Sequence, residues 1–126
     1  AAIALQRGLA LYRAQDYAGA EPWFRHSATR WPYSPVVDQA LNHWALCYYL
    51  RQQHPEALAI YRHLAEAYPE APATPEAVYH IGHCLRALGR LDDARRAYQQ
   101  VEEKFPGSSW AGHAQERLRE MARDGK

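Results

Sequence analysis

Apolar residues recur along this chain at spacings of three and four, which is typical of helices that bury one face. One such stripe consists of Ala57, Ile60, Tyr61, Leu64 and Tyr68. The spacing breaks at residues 15–16, 53–55 and 88–90, where turn-forming residues interrupt it. Each third of the chain closes on an aromatic-proline pair, at which a helix must stop. The pattern therefore predicts helices joined in pairs.

The pattern repeats every 37 residues, and each copy carries an alanine, an aromatic residue and a proline at matching places. These columns are Ala20, Ala57 and Ala94; Phe24, Tyr61 and Tyr98; and Pro32, Pro69 and Pro106. A small residue, Gly8, Ala45 or Gly82, stands upstream in each copy. Small residues on both helices of a pair allow close approach, and the aromatic residue fills the space beside them. Since one hairpin cannot bury its apolar face alone, the copies must stack.

The repeat places three hairpins at about residues 1–34, 38–71 and 75–108. Ser34-Pro35, Thr74-Pro75 and Ser108 have the residue types that cap a helix or begin its first turn. Residues 109–123 predict one more helix, which caps the last hairpin. The whole chain, residues 1–126, is therefore predicted to be a single domain of seven helices without a linker.

These columns resemble the tetratricopeptide repeat, whose pattern runs from a bulky residue through leucine-glycine and tyrosine to alanine, phenylalanine and proline. The third copy matches with Val78, Ile81, Gly82, Leu85, Ala94, Tyr98 and Pro106. The resemblance covers residues 1 to about 108 and implies an all-α, right-handed α-solenoid. Three residues depart from this pattern. Arg7 replaces a leucine, and Gly19 and Pro22 lie near the start of the second helix, which is therefore expected to begin late or to bend.

The copies are three residues longer than the usual 34, and the surplus lies after the prolines. This longer corner is similar to the repeat variant of bacterial cell-envelope proteins, such as the Tol-Pal coordinator family and the lipoprotein of the β-barrel assembly machinery. That resemblance implies a role in bacterial cell-envelope assembly and favours the periplasm over the cytoplasm. The compartment is otherwise unknown. The chain begins at Ala1 without a methionine, which is compatible with a mature or excised segment.

The resemblance also implies that ligands contact the first helix of each repeat along a concave groove. Carried over by position, the groove residues are Leu5, Leu9, Tyr12, Arg13, Gln39, Asn42, Leu46, Tyr49, Tyr79, His83 and Arg86. This mostly aromatic and aliphatic set suits a peptide with an apolar anchor. The alternative is that the tyrosines only pack between neighbouring helices. The groove lacks the paired lysines and asparagines that clamp a terminal carboxylate, so a chaperone C-terminal tail is not the expected partner.

Charge and hydropathy exclude two kinds of partner. Fifteen basic residues against fourteen acidic ones leave a net charge of +1, so the chain has no basic field for nucleic acid. No stretch approaches the roughly 18 consecutive apolar residues of a membrane-spanning helix. We therefore expect a protein or peptide as partner, without direct membrane insertion of this segment.

Two histidine-cysteine pairs have a spacing that can place both side chains on one metal ion, namely His43 with Cys47 and His80 with Cys84. The pairs occupy equivalent repeat positions, so stacking points them the same way instead of towards each other. We expect no metal site and no cofactor, and a metal or thiol site at His80, His83 and Cys84 is kept as an alternative.

The chain has no phosphate-binding glycine loop, nucleophile elbow or zinc-protease motif, so no catalytic residues are predicted. The preferred hypothesis is a non-enzymatic scaffold that binds a peptide or protein segment in its groove. The structural alternative is a module that self-associates as a homo-oligomer or spaces the domains of a larger protein.

Overall fold

The computed structural model describes residues 1–125, and it is helical throughout this range, with no strand. The seven helices of the described range are α1 (Ala2–Arg13), α2 (Tyr17–Arg30), α3 (Val37–Leu50), α4 (His54–Ala67), α5 (Thr74–Ala87), α6 (Leu91–Lys104) and α7 (Ser109–Arg123). None of these helices is both long enough and apolar enough to cross a bilayer. The predicted all-α solenoid of three hairpins and a final helix is confirmed.

Each helix packs on the next one along the chain, and the two layers of the stack differ. The odd-numbered helices also contact one another, whereas within residues 1–125 the even-numbered helices contact no other even-numbered helix. The odd-numbered layer is therefore the more tightly packed one, so the stack curves with α1, α3, α5 and α7 on its inner side. This curvature gives the inner layer a concave surface.

The repeated columns form the interior, as the sequence predicts. Ala57 and Tyr61 are completely buried, and so are their equivalents in the first and third copies. The small column is needed for close approach, because a Cβ atom on Gly82 would lie 2.5 Å from Cε1 of Tyr98. Gly8 has the same relation to the ring of Phe24. The packing of each hairpin therefore depends on a small residue facing an aromatic ring.

The starts of the helices correct two local expectations. Helix α2 begins at Tyr17 despite Pro22, because Asp16 caps it by accepting a hydrogen bond of 2.9 Å from the backbone N–H of Gly19. Of the two outcomes predicted for this helix, the late start is therefore wrong, and a bend at Pro22 stays a prediction. Ser108 caps α7 as predicted, whereas Ser34 lies in the preceding turn and accepts from the backbone N–H of Val36.

The two ends of the stack have different surfaces. Helix α7 buries Ala114 and Met121 against the third hairpin and turns polar residues such as Arg119 outward. At the other end Ile3 is 70% exposed, while its equivalents in the later copies are alanines completely buried by the preceding hairpin. Helix α7 thus covers the last hairpin, whereas the outer face of α1 exposes an apolar side chain at Ile3.

Candidate peptide-binding groove

The eleven predicted groove residues all lie on α1, α3 and α5, which form the inner layer. Three of them, at one equivalent position of each repeat, are buried between neighbouring helices: Leu5, Asn42 and Tyr79. Six more are partly exposed: Leu9, Tyr12, Leu46, Tyr49, His83 and Arg86. Arg13 and Gln39 are exposed. The inner layer therefore has an apolar and aromatic surface supported by a buried row, and ligand contact by these residues stays a prediction.

Two tyrosines make the same contact with the following repeat. The ring of Tyr12 meets His43 edge-on at 5.3 Å between centroids, and the ring of Tyr49 meets His80 edge-on at 5.7 Å. Both tyrosines are nevertheless only partly buried. One edge of each ring thus holds neighbouring repeats together while the rest stays at the surface, so inter-repeat packing and ligand contact do not exclude each other.

Tyr79 has a different role, because only 6% of it is exposed. Its ring centroid lies 4.4 Å from that of His83, 5.3 Å from that of Trp110 and 5.8 Å from that of Tyr98. Tyr79 therefore joins the third hairpin to α7 and supports the groove from beneath.

The imidazoles at the centre of the groove are uncharged at neutral pH. Burial, together with the nearby His80, Arg117 and Arg86, lowers the pKa of His83 to about 4. Its Nδ1 lies 2.6 Å from the hydroxyl oxygen of Tyr98. Burial also lowers the pKa of His80, whose Nδ1 is 3.0 Å from the carbonyl oxygen of Glu76. The groove centre is therefore polar enough to form hydrogen bonds but carries no histidine charge.

Arg86, the predicted cation of the central groove, is already paired. Its guanidinium lies 3.3 Å from the carboxylate of Glu120 and 3.9 Å from that of Asp124. Sequence reasoning missed these two residues because it treated α7 only as a cap. The 37-residue register continued into α7 would have found Glu120, which is equivalent to His83 in the third copy. This end of the groove is therefore acidic as well as basic.

The histidine-cysteine pairs are built into the packing. Cys47 and Cys84 are free and completely buried, and burial raises the pKa of each thiol to about 12. The ring of His80 is stacked on Tyr61 at 5.3 Å. Across residues 1–125 no three histidine, cysteine, aspartate or glutamate side chains are grouped to hold a metal ion. Both thiols are protonated at neutral pH and out of reach of solvent.

Comparison with known proteins agrees with this architecture. Two family models described as tetratricopeptide repeat match the chain, one over residues 36–106 and the other over residues 1–35. Among solved structures, the first TPR of Spaghetti (RPAP3) bound to HSP90 peptide SRMEEVD is similar, with a TM-score of 0.80 and 19% sequence identity. That match covers 97% of this chain and 90% of the other. No curated protein sequence matches the chain.

Proposed function

The chain belongs to the tetratricopeptide repeat family, and we propose that it is a non-enzymatic scaffold that binds a peptide or protein segment along α1, α3 and α5. The observation that carries this proposal is the row of partly exposed Leu9, Tyr12, Leu46 and Tyr49 on the inner layer. Aromatic and aliphatic groups on a preformed helical surface can anchor a segment with little ordering cost to the receptor.

The charges of the groove favour a ligand anchored by apolar side chains over an acidic one. The similar RPAP3 domain holds a peptide with three acidic residues, SRMEEVD. In this chain the guanidinium of Arg86 is engaged by Glu120 and Asp124, so an acidic ligand would have to displace these carboxylates. We therefore propose that the ligand is uncharged or basic where it passes α7.

Peptides of about ten residues selected from a random library against this chain test the proposal. We expect Tyr49→Ala to weaken binding at least tenfold, because an aromatic anchor removed from an interface commonly costs about 2 kcal/mol. Tyr33→Ala is the matched control, since Tyr33 is 97% exposed in a turn outside the inner layer. Equal peptide affinities of the two variants would contradict binding in the groove.

The acidic peptide SRMEEVD provides a second comparison. We expect the selected peptides to bind at least tenfold more tightly than SRMEEVD, and Glu120→Gln to improve SRMEEVD binding by releasing Arg86. Binding of SRMEEVD as tight as that of the selected peptides would contradict the proposed preference for apolar anchors.

We also propose that the scaffold acts in bacterial cell-envelope assembly, in the periplasm. The support is the longer corner after each proline, which spans residues 31–36 and 68–73 between the hairpins. Fractionation of cells expressing the native gene tests this proposal, since it predicts the protein in the periplasmic fraction. Recovery only in the cytoplasmic fraction would overturn it.

Self-association is the second candidate function, and the exposed Ile3 favours it. The surface around Ile3 is the one that carries the preceding hairpin in the other copies. Light scattering over a dilution series decides between the two, and Ile3→Glu is the variant to compare. A mass that stays at one chain, 14.4 kDa, at every concentration would exclude self-association.

A further inference from the structure

A cleft of about 790 Å³ opens on the outer layer, between α4 and α6, away from the proposed peptide groove. Its floor is formed by the apolar side chains of Val78, Ile81 and Leu85 on α5. Ala97 and Phe105 on the α6 side add to the apolar lining. This volume lies within the ~300–1,000 Å³ of ordinary binding sites.

The equivalent space one repeat earlier is occupied by the chain's own aromatic side chains. Trp44 and Tyr48 reach from α3 to the buried Glu21 on α2, and both donate hydrogen bonds to its Oε1, at 3.2 and 2.8 Å. The hydroxyl of Tyr68 donates to the carbonyl oxygen of Pro32 at 2.7 Å and bridges the outer edge. An indole and two phenols therefore occupy this space, each with a polar atom bonded.

The later cleft is open because five apolar residues of its lining are smaller than their equivalents one repeat earlier. The pairs, earlier repeat first, are Leu41 and Val78, Trp44 and Ile81, Tyr48 and Leu85, Ile60 and Ala97, and Tyr68 and Phe105. Phe105 also lacks the hydroxyl with which Tyr68 bonds to Pro32, so the equivalent Pro69 carbonyl receives no such bond from it. The backbone arrangement recurs, while the aromatic filling does not.

The rim of the cleft is polar and of mixed charge. Asp93 accepts from both Arg90 and Arg96, at 2.9 and 3.0 Å. Lys104 on one wall is offset by acidic residues such as Glu66 on another. A rim without a dominant sign suits a polypeptide, whose backbone is neutral, better than an anionic small molecule, which needs concentrated positive charge.

We propose that this cleft is a second binding site, which receives a tryptophan or tyrosine side chain from a partner protein. The incoming ring takes the place that Trp44 and Tyr48 occupy one repeat earlier. Its N–H or O–H is expected to donate to the Pro69 carbonyl, as Tyr68 does to Pro32. The site lies on the outer layer, so it does not depend on the groove of α1, α3 and α5.

N-acetyl-L-tryptophanamide is a suitable probe, with N-acetyl-L-leucinamide as its control, titrated into the ¹⁵N-labelled chain. We expect saturable amide shifts at Leu85, Ala97 and Phe105 at millimolar probe, and at least tenfold weaker binding of the leucine control. The proposal would be overturned if no amide shifts appear up to the solubility limit of the probe, or if the largest shifts fall at Tyr49 and His83.

Two variants built from the chain's own residues sharpen the test. The double substitution Ile81→Trp with Leu85→Tyr should fill the cleft and weaken probe binding at least tenfold, with dispersed amide signals showing that the fold is kept. The reverse change, Trp44→Ile with Tyr48→Leu, should add a second set of shifts one repeat earlier. Unchanged probe binding by the variant with the filled cleft would contradict the proposed site. The absence of a second site in the Trp44→Ile, Tyr48→Leu variant would contradict the equivalence of the two repeats.

Indole-3-acetate separates the two classes of ligand, because it keeps the ring and adds a negative charge. The proposal predicts that it binds no more tightly than the neutral tryptophanamide. If the anion binds tenfold more tightly, the proposal of a partner's side chain is wrong and the cleft binds a small anionic ligand instead.

Discussion

Tyr61 and Tyr98 occupy the same position in successive repeats but differ in what their hydroxyl groups contact. Both side chains are completely buried. The hydroxyl of Tyr98 lies 2.6 Å from Nδ1 of His83, whereas within the described residues the hydroxyl of Tyr61 has no hydrogen-bond partner. The first repeat carries Phe24 at this place, so the packing accommodates a ring without a hydroxyl. Replacing Tyr61 by phenylalanine and replacing Tyr98 by phenylalanine should therefore change the free energy of unfolding in opposite directions.

The expected magnitudes follow from the cost of buried polar groups. Burying an unpaired hydroxyl costs about 1–3 kcal/mol, so Tyr61→Phe should raise the free energy of unfolding by about 1 kcal/mol. Tyr98→Phe removes a hydrogen bond and leaves Nδ1 of His83 unpaired, so it should lower that free energy by about 1–2 kcal/mol. For a chain of this size, 1 kcal/mol corresponds to roughly 3–5 °C in Tm.

Urea unfolding of the wild type and both variants, followed by far-ultraviolet circular dichroism, measures these differences. Tryptophan fluorescence should give the same midpoints, because stacked repeats can unfold in steps and a single free energy is defined only when the probes coincide. The expected gap between the two variants is about 2–3 kcal/mol. Changes of the same sign in both variants would refute the assignment of the two hydroxyl environments.

Three further predictions rest on other contacts. The pKa of His83 is about 4 in the folded chain and 6.5 in the unfolded chain, so the unfolded chain binds more protons between these two pH values. The free energy of unfolding should therefore be highest above pH 6.5 and fall as the pH drops towards 4. Titration of the unfolding free energy should show this slope, and His83→Gln should flatten it. Glu21→Ala should cost about 1–2 kcal/mol in urea unfolding, since it removes the buried acceptor that Trp44 and Tyr48 share. A loss below 0.5 kcal/mol would contradict that network. Gly82→Ala should lower Tm by several degrees, because the added Cβ meets the Tyr98 ring. Gly112→Ala, where the added Cβ meets open space, should raise Tm slightly. Equal Tm shifts of the two variants would contradict the close approach of Gly82 to the ring.

The fold was predictable because the residues that determine it recur in register. Ala57 and Tyr61 are placed by their equivalents on either side, and no single position had to be interpreted alone. The start of α2 was predicted less well, since the cap made by Asp16 outweighs the disruption expected from Pro22. That competition between a cap and a proline is settled by backbone geometry, which a spacing pattern does not contain.

The sequence predicted which helices carry the candidate groove residues, but not the charge around them. Every predicted residue lies on the inner layer, yet whether Tyr79 is buried depends on how α7 packs, with Trp110 against its ring. The ion pair of Arg86 with Glu120 joins α5 to α7 through two residues that are 34 positions apart in the sequence. Such a contact depends on the angle between adjacent hairpins, which the sequence does not specify.

We propose that the inner layer of this repeat stack binds a peptide. Amide shift mapping of the ¹⁵N-labelled chain with a library-selected peptide tests it most directly. We expect the largest shifts on α1, α3 and α5, at Leu9, Leu46 and Tyr49, and we expect these shifts to vanish in Tyr49→Ala at the same peptide concentration. Largest shifts on α2, α4 and α6, with the inner layer unperturbed, would contradict it.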